Sequence, residues 1–205
     1  MKLYLSSYGV PTPGELLGLL NKPPEQVRIT IIPNAKDYKL PDERAQSLDE
    51  TVVNLEQAGL HPDVTDLREH DDKDRLRDVL KTYDAIWAAG GNTFMLRSEM
   101  RRSGFDRIIK DLAENGIVYC GESAGAIVAG LTLQGAEVAD EPEIADQLIW
   151  EGLGLTDRIV APHADNPGFV EYINHMKKLY EGDDRVLYLN DNQALTMNGN
   201  STRLS

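Results

Sequence analysis

The chain has 205 residues, enough to bury a substantial core in one domain, and its 41% hydrophobic and 27% charged content is ordinary for a globular fold. A formal net charge of −13 argues against nucleic acid or an anionic membrane surface as partner, and no apolar run is long enough to span a bilayer. One cysteine, Cys120, excludes an internal disulfide, and the opening Met1–Ser7 is too short an apolar run for a signal peptide, so the expected compartment is the cytoplasm.

In chain order, Lys2–Ser7 predicts a first strand and the β-branched run Val27–Pro33 a second. Pro41 opens a helix to about Ala58, with Leu48, Val52 and Leu55 spaced by four and three, and Gly59 ends it. His61–Leu67 reads as a third strand, followed by a charged helix over about Asp72–Tyr83. Asp84–Ala89 is a fourth strand closed by Gly90-Gly91; Asn92 or Thr93 then caps a helix toward Met100, and another helix covers about Asp106–Asn115. Strand Ile117–Cys120 comes next, with Cys120 read as a buried structural thiol.

Between Gly135 and Gly152 lie Glu137, Asp140, Glu141, Glu143, Asp146 and Glu151, with no Lys or Arg. Such a run reads as a solvated face, with a lid or a subunit contact as the alternative. A strand at Arg158–Ala161, a helix around Phe169–Tyr180 and strands at Arg185–Leu189 and Ala194–Met197 complete the chain. The alternation predicts one α/β domain over residues 1–205, a mostly parallel sheet with helices on both faces. Sites in such sheets form beyond the carboxyl ends of strands, which directs attention to the loops after Trp87, Tyr119 and Ile159.

The loop after Tyr119 is Cys120-Gly121-Glu122-Ser123-Ala124-Gly125-Ala126, a Gly-x-Ser-x-Gly turn between an apolar strand and a helix. In that context it reads as a nucleophile elbow, its glycines allowing the tight turn that leaves the serine hydroxyl exposed. The plainer alternative is a serine capping an ordinary helix. A serine nucleophile needs a base, and the base an orienting acid. Of the four histidines, His61 and His70 fall near the third strand, and His175 lies within a helix. His163 follows Arg158-Ile159-Val160-Ala161-Pro162 and so reaches the same rim as Ser123. Asp191, after the apolar run Arg185–Leu189, is the candidate acid, although Asn190-Asp191-Asn192 is also the chemistry of a turn between antiparallel strands. Asp165 competes from two residues beyond the histidine. Oxyanion amides are expected from Ala124 and from the Gly90-Gly91-Asn92-Thr93 turn, which lacks the residues of a P-loop. The histidines show no metal-ligand spacing.

Ala88-Ala89-Gly90-Gly91-Asn92-Thr93-Phe94, then Gly121-Glu122-Ser123-Ala124-Gly125-Ala126, then Ala161-Pro162-His163, taken in that order, resemble the dipeptidase E (α-aspartyl dipeptidase) family, which includes cyanophycinase-like serine peptidases. The resemblance implies a flavodoxin-like three-layer sandwich related to class I glutamine amidotransferases, with serine replacing cysteine. It implies a serine peptidase acting on small peptides without a cofactor or metal, as a monomer or homodimer. By position, Ser123 is then the nucleophile, His163 the base, Gly91 and Ala124 the oxyanion donors. The acid falls on Asp191, where the characterised dipeptidases are expected to carry glutamate, so the shorter side chain needs a backbone shift or a water to reach the imidazole. Asn92, Glu122 and Asp165 are the substrate-binding candidates. The segment His163–Phe169 contains no Lys or Arg, the next cations being Lys177 and Lys178, and an acidic loop there would repel a substrate carboxylate, which counts against an aspartyl preference. The alternatives are a cyanophycinase-like or isoaspartyl hydrolase, and a non-catalytic small-ligand-binding relative.

Overall fold

The computed structural model describes residues 1–205. Strands β1 (Lys2–Ser6), β2 (Ile29–Ile32), β3 (Pro62–Val64), β4 (Ala85–Ala88) and β5 (Val118–Glu122) are parallel and lie in the order β3-β2-β4-β5-β1. Two further strands, β8 (Ala194–Asn198) and β9 (Ser201–Leu204), continue the sheet antiparallel beyond β1. The two strands between β5 and β8 in sequence, β6 (Ile159–Ala161) and β7 (Val186–Tyr188), form a separate parallel pair.

Alternation along the strands explains why both sheet faces are covered. Leu3 and Leu5 point into one apolar cluster and Tyr4 into another; Ile86 and Ala88 oppose Ala85 and Trp87 in the same way. On the Tyr4 side, helices α1 (Pro13–Leu20) and α2 (Pro41–Gln57) contribute Leu16, Leu19 and Leu55. On the other side, α3 (Lys73–Leu80), α4 (Thr93–Arg102), α5 (Phe105–Glu114) and the short α6 (Ala124–Ala129) bring Leu76, Phe94, Ile108 and Ile127. Each fully buried side chain of this kind contributes about 1.5–3 kcal/mol. The result is the three-layer α/β sandwich that the alternation predicts. A smaller cluster packs α7 (Val170–Leu179) onto the β6–β7 pair through Tyr172, Ile173 and Met176. Cys120 is buried, and burial pushes its thiol pKa up, as expected of a structural cysteine.

Three departures are instructive. Helix α1 contains Gly14 and Gly18, poor helix formers, and is held by Leu16, Leu19 and Leu20 against the sheet. Strand β9 is exposed throughout and exists through its pairing with β8. The antiparallel pair that is the alternative reading around Asp191 does not form: β7 joins β6, β8 joins β1, and the loop carrying Asp191 connects two sheets. No helix is long and apolar enough to cross a membrane.

Candidate active site

At the end of β5 the backbone turns at Ser123 with φ 50° and ψ −110°, a conformation disfavoured for any residue with a Cβ. The Ser123 amide donates to Ser6 O at 3.0 Å, and the Ser123 carbonyl accepts from the amides of Ala126 and Ile127 at 2.9 and 3.0 Å. Gly125 is required by proximity, because a Cβ there would overlap the Ala88 carbonyl of β4. The elbow therefore sits tightly on the strands beneath it.

The parallel register of β6 and β7, with Ala161 opposite Tyr188, brings the segments after them to one place. His163, two residues past β6, is 7% exposed; Asp191 lies three residues past β7. Ser123 Oγ is 2.9 Å from His163 Nε2, and His163 Nδ1 is 2.6 Å from Asp191 Oδ1. These partners are compatible with one tautomer, in which Nδ1–H donates to the carboxylate and Nε2 accepts from the serine hydroxyl. The aspartate contact is direct, so the shorter side chain reaches the imidazole without a bridging water. Phe169 stacks on the imidazole at 4.2 Å between ring centres.

Two side chains absent from the sequence reading hold this arrangement. Ser7 Oγ accepts from the His163 amide at 2.7 Å and donates to Asp191 Oδ1 at 2.9 Å. His163 has φ 64°, so its backbone rests in the left-handed region with Ser7 beneath it. Asn166 Nδ2 donates to Asp191 Oδ2 at 2.8 Å. Burial pushes the Asp191 carboxyl up, but hydrogen bonds from Asn166, His163 and Ser7 outweigh it and hold the group below the ordinary carboxylate range.

The other rim residues divide clearly. Gly91, at φ 141°, lies against the turn Asn34–Lys36, and a Cβ on it would overlap the Ala35 carbonyl. The amides of Gly91 and Ala124 donate to no protein acceptor. Asn92 is buried and caps α4: Oδ1 accepts from the Met95 amide, while Nδ2 donates to Glu141 O. Glu122 accepts from the Gly9 amide at 2.9 Å and Trp87 Nε1 at 3.4 Å. Asp165 is exposed and accepts from the Asp191 amide at 2.8 Å, supporting that loop while Asp191 contacts the imidazole.

A cavity of about 420 Å³ opens beside Ser123, walled by Gly91 and His163 and on the far side by Lys36, Lys39, Glu50 and Asn54. The histidine loop supplies no cation to this cavity, as its sequence indicates; the cations come from the loop after β2. Burial lowers the Lys36 pKa, partly opposed by Glu122. The acidic segment is also more than a solvated face. Glu137, Glu141, Glu143, Asp146 and Glu151 are exposed, but Asp140 turns inward to accept from the Thr93 amide at 2.9 Å and lines a second cavity at Ser123. Burial raises its pKa. Ser7, Lys36 and Asn166 all lie in loops after β1, β2 and β6; counting every strand end as part of the rim is the signal that points to them.

The whole chain superposes on a crystal structure of a candidate peptidase E from Listeria monocytogenes EGD-e with a TM-score of 0.86, 23% identity and 97% of that chain covered. A peptidase from an acI-B1 Actinobacterium matches over the whole chain at TM-score 0.74, 17% identity and 86% of its own chain. At these identities the likeness speaks for the fold. Among curated proteins, an uncharacterized peptidase of Listeria monocytogenes is 31% identical over 121 residues, 58% of this chain and 59% of its own. A peptidase E of Shewanella sp. strain ANA-3 is 30% identical over 127 residues, 62% of this chain and 48% of its own. The chain thus matches between about half and three fifths of the length of these curated relatives. The family model for peptidase family S51 matches residues 8–205, and the chain belongs to that family.

Proposed function

We propose that this protein is a serine peptidase that hydrolyses small peptides through Ser123, His163 and Asp191. The observation that carries this reading is the continuous hydrogen-bonded chain from Ser123 Oγ through both ring nitrogens of His163 to Asp191. A non-catalytic relative has no need to retain that chain or the strained elbow beneath it.

In the first half-reaction Ser123 Oγ attacks the peptide carbonyl carbon while its proton passes to His163 Nε2. The carbonyl oxygen, now an oxyanion, is held by the amides of Gly91 and Ala124. Collapse breaks the C–N bond; the leaving amine takes the proton from His163, and the acyl group stays on Ser123. Water then attacks the ester, giving a proton to His163, and the released Ser123 oxygen recovers it. Asp191 stays ionised and stabilises the imidazolium formed in each half. The cavity volume suits a short peptide rather than a folded chain.

The experiment is hydrolysis of a dipeptide library by wild type and Ser123→Ala, with fluorophosphonate labelling alongside. Wild type should label at Ser123, and the variant should lose labelling and several orders of magnitude in rate. Equal hydrolysis by the two proteins would refute the serine mechanism.

A further inference from the structure

Three aromatic rings are the only apolar side chains in the wall of the Ser123 cavity: Tyr8 from the loop after β1, Tyr38 from the loop after β2 and Phe169 from the loop after β6. Phe169 stacks on the imidazole, which accounts for its place. The two tyrosines take no part in the chemistry above, and they are 57% and 48% exposed.

The backbone beneath each tyrosine is nevertheless fixed. Tyr8 stands between Ser7, which bonds to His163 and Asp191, and Gly9, whose amide donates to Glu122 at 2.9 Å and whose carbonyl accepts from Ser6 Oγ at 2.7 Å. Tyr38 stands between Asp37 and Lys39. Asp37 pairs with Arg44 at 2.7 Å and accepts from Asn34 Nδ2 at 2.7 Å, and the Lys39 amide donates to Lys36 O at 3.1 Å. Lys39 Nζ lies 5.9 Å from the Tyr38 ring centre and leaves that ring about half exposed.

An exposed tyrosine on tethered backbone contributes little to folding but offers a large apolar area with only two side-chain torsions to immobilise. A ligand that covers it gains burial at small entropic cost. Tyr38 and Phe169 also border the second cavity at Ser123, so both spaces beside the nucleophile have aromatic walls. Because the rings and Ser123 share one cavity, the group that covers them belongs to the molecule being cleaved.

We propose that Tyr8 and Tyr38 form the receptor for a large apolar side chain of the substrate, so that the peptide cleaved at Ser123 carries an aromatic or long aliphatic residue packed against these rings. This rests on the serine-peptidase reading above. A dipeptide offers two such side chains, that of the acyl residue and that of the leaving residue.

The test compares kcat/KM of wild type and a Tyr8→Ala, Tyr38→Ala double variant on two matched pairs, Phe-Ala against Ala-Ala and Ala-Phe against Ala-Ala. Wild type should favour the phenylalanine member of one pair by about tenfold or more, as burial of that side chain provides, and the ratio should fall to within about twofold in the variant. Collapse in the first pair assigns the acyl residue, and collapse in the second the leaving residue. A Tyr8→Phe, Tyr38→Phe variant keeps both rings and should keep the preference. No preference in wild type, a preference that survives loss of both rings, or equal loss on both members of a pair overturns the proposal. Either single alanine variant makes the same comparison if the double variant does not fold, and each should lower the ratio. Fluorophosphonate labelling separates the two readings: wild type that labels while the ratio survives the substitutions refutes the tyrosines' role alone, whereas wild type that neither labels nor cleaves refutes the serine reading and this one with it.

Discussion

Ser7→Ala removes a hydroxyl that joins two parts of the site by opposite ends, accepting from the His163 amide at 2.7 Å and donating to Asp191 Oδ1 at 2.9 Å. A hydrogen bond to an ionised carboxylate contributes about 1.5–3 kcal/mol, and a buried amide left unpaired costs about 1–3 kcal/mol. The two losses share one group and do not add fully, so we expect a net destabilisation of about 2–4 kcal/mol. A domain of this size should survive that, with Tm lowered by several degrees. The catalytic consequence is larger than the stability loss suggests. His163 rests in a left-handed conformation, and without Ser7 neither its backbone nor the Asp191 carboxylate keeps its seat. A displacement of even about 1 Å in such a group costs up to about 10²-fold, so kcat should fall by about 10- to 100-fold. KM should change little, because Ser7 lies beneath the histidine and does not line the cavity. The assay is steady-state kinetics on the best dipeptide, repeated in an Asp191→Ala background. There the serine should matter much less, since one of its two partners is gone. An unchanged kcat, a loss confined to KM, or the same factor in both backgrounds would refute the role assigned to Ser7.

Two further outcomes follow from the packing. Gly91→Ala forces a Cβ against the Ala35 carbonyl at a φ of 141°, and should destabilise by about 2–4 kcal/mol while moving an amide proposed to hold the oxyanion; thermal unfolding and kcat measured together check it. At Asp66, burial raises the carboxyl but hydrogen bonds from Arg68 and Asn34 outweigh it, so its pKa lies below the ordinary value of about 3.9. A depressed pKa contributes stability above the unfolded value, lost as pH falls through the folded one. The urea midpoint of Asp66→Asn should therefore lie below that of wild type at pH 7, and the gap should narrow as pH drops below about 4; a constant gap would contradict the assignment.

Most of the sandwich was legible because its cues are local. Periodicity of two and of 3.6 placed the strands and most helices, glycines marked their ends, and the elbow around Ser123 is contained in a few consecutive residues. The candidate triad was legible for the same reason, each member standing just past an apolar strand. Helix α1 and strand β9 were not, because a short helix interrupted by two glycines and a short, fully exposed strand are held by their neighbours rather than by their own propensity.

What the sequence alone determined was therefore which residues sit at strand ends and which chemistry they can offer. Which of those ends meet was decided by tertiary structure: Ser7 and His163 are 156 positions apart, and Lys36 reaches the Ser123 cavity from a different crossover. Strand order and register, in the main sheet and in the β6–β7 pair, are set by the burial of their faces and determine those distances, and neither is written in any short stretch of chain.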